Sequence, residues 1–130
     1  MEDNEKNEKG KKISVQEFTS ALFEIEVNSH IAHLQTSSFA EHKALDELYS
    51  GIVGLRDRFI EGYQGEFGIV KGYKSFTINE GLNPITYIDK HCENFEEFRE
   101  TLEGQGYLQQ IIDDILELLY GVKYKLKFLK

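Results

Sequence analysis

Residues 30–61 read HIAHLQTSSFAEHKALDELYSGIVGLRDRFIE, and the periodicity in and around them decides the fold. Leu45, Leu48, Ile52, Leu55, Phe59 and Ile60 recur at three- and four-residue intervals, which is the spacing of a helix face. Upstream, Val15, Phe18, Leu22, Ile25 and Ala32 form one helical stripe, and Phe23, Val27, Ile31 and Leu34 form a second. So wide an apolar surface belongs to a helix packed on more than one side. Between the two helices Thr36-Ser37-Ser38 interrupts the pattern, and Ser37 or Ser38 caps the next helix with Glu41 in its first turn. The first helix begins near Ser14, where Glu17 three places on completes a capping-box pattern. The second stops around Gly62–Gly65. Gly51 and Gly54 lie inside it; each costs up to about 1 kcal/mol relative to Ala, and each also permits close helix approach.

Outward from this hairpin the pattern changes. Residues 64–86, QGEFGIVKGYKSFTINEGLNPIT, are rich in glycine, hold the only proline and keep no period. They read as a long connection of the kind that often covers a site. Residues 93–103, ENFEEFRETLE, predict a short third helix. Residues 107–129 predict a long fourth one, whose terminal Lys123, Lys125, Lys127 and Lys130 suit the negative end of the helix dipole. The expectation is an all-α, four-helix bundle over residues 13–130, with a long crossover between the second and third helices. Residues 1–12, MEDNEKNEKGKK, have almost nothing to bury and predict a disordered tail.

Composition narrows the partners. A net charge of −8 argues against nucleic acid binding through a general basic surface, and the tail balances four acids with four lysines. Cys92 is the only cysteine, so no intrachain disulfide forms and a reducing, cytoplasmic location is the simplest home. No apolar run approaches the roughly twenty residues of a membrane span, and residues 1–12 lack the apolar stretch of a signal peptide. A chain of 130 residues buries only a modest core, so a homo-oligomer would gain stability.

The polar residues of the opening stretch carry the chemistry. On an ideal first helix His30 points with Phe23, Val27 and Leu34, toward the interior, and His33 and Glu26 flank that direction at about 60° and 40°. On the second helix His42, Asp46 and Asp57, at about 0°, 40° and 60°, share the face of Val53 and Ile60, and Glu61 lies about 100° from His42. A carboxylate on an apolar face needs an ion pair, water or a cation. His42 and Asp46 are one turn apart, as are Asp57 and Glu61, but eleven residues, about 16 Å, separate the pairs. They cannot grip one ion within one chain. His30 and His33 approach His42 and Asp46 across the tight turn, so Asp57 and Glu61 would have to come from a two-fold-related copy. Imidazole mixed with carboxylate suits iron, zinc or manganese better than calcium. The bland alternative is a satisfied core histidine with Asp46 and Asp57 in salt bridges to Lys43, Arg56 or Arg58. Glu24 reads as an ordinary helix polar residue, and His91 beside Cys92 has no supporting ligand spacing.

The order His30, His42, Asp46, Asp57, Glu61 resembles the ferroxidase pattern of the Dps family, the small ferritins that protect DNA in starved cells. That family's motif is His-x11-His-x3-Asp-x10-Asp-x3-Glu. The stretches HLQT, AEHKAL and YQG, the last at Tyr63–Gly65, and the end near YKLKFL are also similar to uncharacterised ferritin-like proteins of tailed bacteriophages. The resemblance implies a ferritin-like bundle with an intersubunit iron site, possessing ferroxidase or peroxide-removing activity, in which His30, His42, Asp46, Asp57 and Glu61 are the catalytic ligands. The family places a Trp directly after its first histidine, and this chain has none. Ala32-His33-Leu34 aligns with that element if the turn is three residues shorter, so His30 and His33 both stay open as the ligand. A non-enzymatic phage bundle that kept the fold, and acts on a protein partner or as a virion or host-takeover component, is the other reading.

Overall fold

Four helices carry the described chain in the computed structural model, which describes residues 12–130: α1 (Val15–Gln35), α2 (Phe39–Phe67), α3 (Pro84–Glu100) and α4 (Gly106–Phe128). The expected tail falls almost wholly outside the described residues. No strand occurs among them.

Local chemistry sets the helix starts. Ser14 Oγ accepts from the Glu17 N–H while the Glu17 carboxylate accepts from the Ser14 N–H, the reciprocal capping box read from the sequence. Ser38 is the cap of α2, accepting from the Glu41 N–H. The third helix corrects the sequence reading. It starts at Pro84, nine residues before the expected position, because Asn83 caps the Thr86 N–H and Pro84 occupies the first turn, where its missing N–H costs nothing. Proline was legible as a break; here it is a start. At the other end Gly68, with φ of 97°, stops α2 and turns the chain away.

Side-chain contacts fix the directions. As α3 advances from Tyr87 to Phe98 its partners on α1 recede from Glu24 to Phe18, so the two are antiparallel. Helix α4 runs against α2, from Tyr107 beside Gly62 to Lys125 beside Glu47. It also runs against α3, where Arg99 meets Asp113 and Asp89 meets Lys123. Helices α2 and α3 therefore point the same way. The core lies between all four, and its aromatic hub is Phe18, fully buried against Phe59, Phe95 and Phe98 at centroid distances of 4.8, 4.8 and 4.5 Å. Gly51 lets α2 and α4 close: a Cβ there would stand 3.1 Å from Leu118 Cδ2.

The segment from Gly68 to Asn83 holds no helix, yet it is tied down. Gln64 Oε1 accepts from the Val70 N–H at its start. Along α1, Gln16 donates to Lys71 O, Ser20 Oγ accepts from the Lys74 N–H, and Asn28 both donates to Thr77 O and accepts from the Asn79 N–H. Finally Gln35 donates to Glu80 at 2.7 Å. The segment is a strap lying along α1, in the direction of α1. Replacing Asn28 by Ala removes both middle bonds. We expect faster amide hydrogen exchange at Asn79, with a stability loss of about 1–3 kcal/mol and unchanged protection in α4.

Candidate site at the α1–α2 turn

The turn between α1 and α2 is laced by two histidines. His33 Nδ1–H donates to the His42 carbonyl at 2.6 Å, and His42 Nδ1–H donates to the His33 carbonyl at 2.8 Å. The rings stack at 3.7 Å, 18° from parallel. A carbonyl oxygen only accepts, so each Nδ1 carries a hydrogen, and Nε2 is the ring nitrogen these two bonds leave unused. The His33 carbonyl lies in the last turn of α1, where helical partners run out, so His42 also serves as a cap.

His30 departs from the expectation. It is exposed rather than interior, and its ring lies flat on Tyr49 at 3.8 Å and 6°. The buried histidine is His33, 7% exposed. The ideal-helix projection grouped His30 with Phe23, Val27 and Leu34, but these are not core residues: the α1 core is Phe18, Leu22 and Ile25, and Leu34 is 68% exposed. The second stripe faces outward, and His30 goes with it. Asp46 sits half-buried next to Tyr49, and its carboxylate, accepting from the phenol, pushes that hydroxyl above its ordinary pKa.

Asp57 and Glu61 are exposed, farther along the same outer face of α2. Asp57 accepts from Arg56 Nε at 3.0 Å. Arg56 is buried, also pairs with Glu26, and lies 4.1 Å above the Phe23 ring. The structure thus brings His30, His33, His42 and Asp46 to one end of the hairpin and leaves Asp57 and Glu61 apart from them. Among the described residues no three His, Cys, Asp or Glu side chains are arranged to hold a metal ion.

Sequence reading passed over a second polar group, where α1 meets α3. Glu24 Oε2 accepts from the Tyr87 hydroxyl at 2.9 Å, and His91 Nε2 lies 3.4 Å from the same oxygen. His91 is 4% exposed and its ring nitrogens make no hydrogen bond. The His91 ring is the main influence holding the Glu24 carboxyl below its usual range, with Tyr87 and Lys90 adding to it against the opposing effect of burial. Burial pushes Tyr87 far above the ordinary phenol value, and the Cys92 thiol up to about 11. Cys92 is accordingly a core residue rather than a nucleophile. The only sequence signal for this group was the i, i+4 pair Tyr87 and His91, and it becomes visible only once α3 is extended back to Pro84.

Two of the three acids of α4 are paired and the third, Glu117, is exposed: Asp113 takes a fork from Arg99 at 2.7 and 3.2 Å, and Asp114 pairs with Arg58. No helix among the described residues is long and apolar enough to cross a membrane.

Fold and site together define an all-helical bundle with a polar, histidine-laced hairpin. The chain belongs to the DUF5856 family, described as a family of unknown function, whose model matches residues 33–126. It is also 30% identical over 123 residues to an uncharacterized 14.6 kDa protein of Enterobacteria phage T4, from the mobD-ri intergenic region, covering 92% of this chain and 93% of that protein. The phage part of the sequence resemblance is met by this relative; the ferritin part is not something these matches show. No solved structure matches.

A carboxyl held low in the folded state stabilises above its unfolded pKa, about 4.3, and that contribution is lost as pH falls through the folded value. Glu24→Gln should cost about 1–2 kcal/mol near neutrality. The gap between variant and parent should close below about pH 4 in chemical denaturation.

Proposed function

We propose that this is a phage-type bundle protein that pairs through the outer face of α1 and α2 and binds a transition metal, iron first with zinc or manganese as alternatives, between two copies. The observation that carries the reading is the reciprocal bond of His33 and His42. Imidazoles whose Nδ1–H is held by a backbone carbonyl, leaving Nε2 free, are dressed as metal ligands usually are. One chain supplies half a donor set, His30, His33, His42 and Asp46, and the partner copy would add Asp57 and Glu61. Bound there, iron would supply one-electron chemistry toward dioxygen or peroxide, giving a ferroxidase or peroxide-removing activity. The chain's own residues would hold the ligands and, through Tyr49 and Asp46, a phenol proton nearby. Two features support the pairing. Helices α2 and α3 run parallel across a long crossover, as in ferritin-like bundles. Gly54 lies exposed on α2 with nothing within 4 Å of where a Cβ would stand, so no contact inside the chain explains the absence of a side chain.

One observation favours the second reading, a metal-free bundle that docks on a protein partner. Arg56 already occupies both Asp57 and Glu26. Elemental analysis of the purified protein beside Asp57→Asn and His42→Ala/Asp57→Ala variants separates the two. The metal reading expects bound transition metal in the parent and its loss in both variants with helix content kept. A metal-free parent, with a melting temperature indifferent to ferrous or zinc ion, rules it out and leaves the second.

Pairing has its own check. Gly54→Ala should stabilise an isolated chain by about 0.5–1 kcal/mol. In light scattering it should lower the dimer fraction if a partner helix packs against that glycine.

A further inference from the structure

A cavity of about 540 Å³ lies away from the α1–α2 turn, between α1, the strap and the start of α3. That volume is in the range of small-molecule sites. Glu24, Tyr87 and Lys90 line it, with Asn79 and Thr77 from the strap and Thr86 from α3. Glu24 is an oriented carboxylate: its Oε2 takes the Tyr87 hydroxyl and faces the buried His91 ring, and its Oε1 has no hydrogen bond among the described residues. Its carboxyl is held low, so it is charged at neutral pH, and Lys90 contributes to that effect. The His91 ring behind it is buried without a hydrogen bond, and among the described residues Glu24 is the acid within ion-pair distance of it.

The cavity therefore offers one fixed anion, one flexible cation, and amide and hydroxyl groups that both donate and accept. Ile78 and Leu82 supply its apolar wall. A simple cation would leave Lys90 unmatched, and a simple anion would leave the half-buried Glu24 unmatched; a ligand carrying both charges meets both. We propose that this cavity binds a small zwitterion of amino-acid or dipeptide size, its ammonium on Glu24 Oε1, its carboxylate on Lys90, and its apolar side chain against Ile78 and Leu82. The strap then forms one wall of a binding site, and its bonds to Asn28 through Thr77 and Asn79 hold that wall in place.

The test titrates the full-length protein with alanyl-leucine, free leucine, propylamine and propionate, reading melting temperature and the amide resonances of residues 77–83. The zwitterions should bind saturably and raise the melting temperature, while the amine or acid alone binds at least about tenfold more weakly, the cost of one lost charged hydrogen bond. Lys90→Met, on an exposed side chain, should weaken zwitterion binding by a similar factor with the fold intact, and Glu24→Gln by as much or more. If Glu24→Gln unfolds, Lys90→Met and Thr86→Val carry the test. Absence of saturable binding by either zwitterion overturns the proposal. So does equal binding of propylamine, or full retention of binding by Lys90→Met. None of these readouts depends on metal at the α1–α2 turn.

Discussion

Two consecutive helices that run parallel cannot be joined by a tight turn, and most of this structure answers to that constraint. The chain leaves α2 at one end of the bundle and must begin α3 at the other. Helix α1, at 21 residues, spans about 32 Å. Sixteen residues lie between Phe67 and Pro84, ample for the distance when extended. A backbone stretched that far leaves its polar groups without helical or sheet partners, and such groups must find others. Helix α1 provides them. Its buried Ser20 and Asn28, out of place on an apolar stripe, are explained by the strap they hold. The cavity at Glu24 and Tyr87 exists because the strap passes over α1 there instead of packing into it.

The helical hairpin was legible because its signals are local: a capping box at Ser14, a serine break, and a 3.6-residue apolar period. The all-helical class, the long crossover and the basic end of α4 follow from the same kind of signal. What the sequence hid is non-local. The start of α3 is hidden because proline marks loops and helix starts alike, and the Asn83 cap that decides between them is a single side-chain bond. His30 was placed inside because two apolar stripes on one helix cannot be ranked without knowing which faces the other helices. The bundle took Phe18, Leu22 and Ile25, and the stripe of Phe23, Val27 and Leu34 was left to the surface and the strap. Phe23 shows the compromise, with Tyr73 of the strap edge-on at 5.7 Å and the Arg56 guanidinium over its ring.

At the α1–α2 turn, spacing leads to His33 approaching His42, and the two rings do stack, but spacing could not assign their hydrogen bonds. His33 and His42 spend one ring nitrogen each on the other's helix, which ties the hairpin's register to the same atoms that set their tautomer. The structural role of these rings does not compete with the metal binding proposed for them, since a ring fixed by one nitrogen still presents the other. The same economy holds at Glu24, where one oxygen binds the fold together and the other faces the cavity.

The strap is bound to α1 through its own main-chain atoms, Lys71 O, Lys74 N, Thr77 O and Asn79 N. Its side chains from Lys71 to Glu80 are all exposed. Main-chain groups are common to every residue but proline at the donors, so these four bonds ask little of the strap's own side chains at those positions. The requirement for particular residues falls instead on Gln16, Ser20 and Asn28, more than forty positions away. The course of the crossover is thus addressed from α1, and a change at Gln16, Ser20 or Asn28 would redirect it more than a change at Lys71 or Lys74.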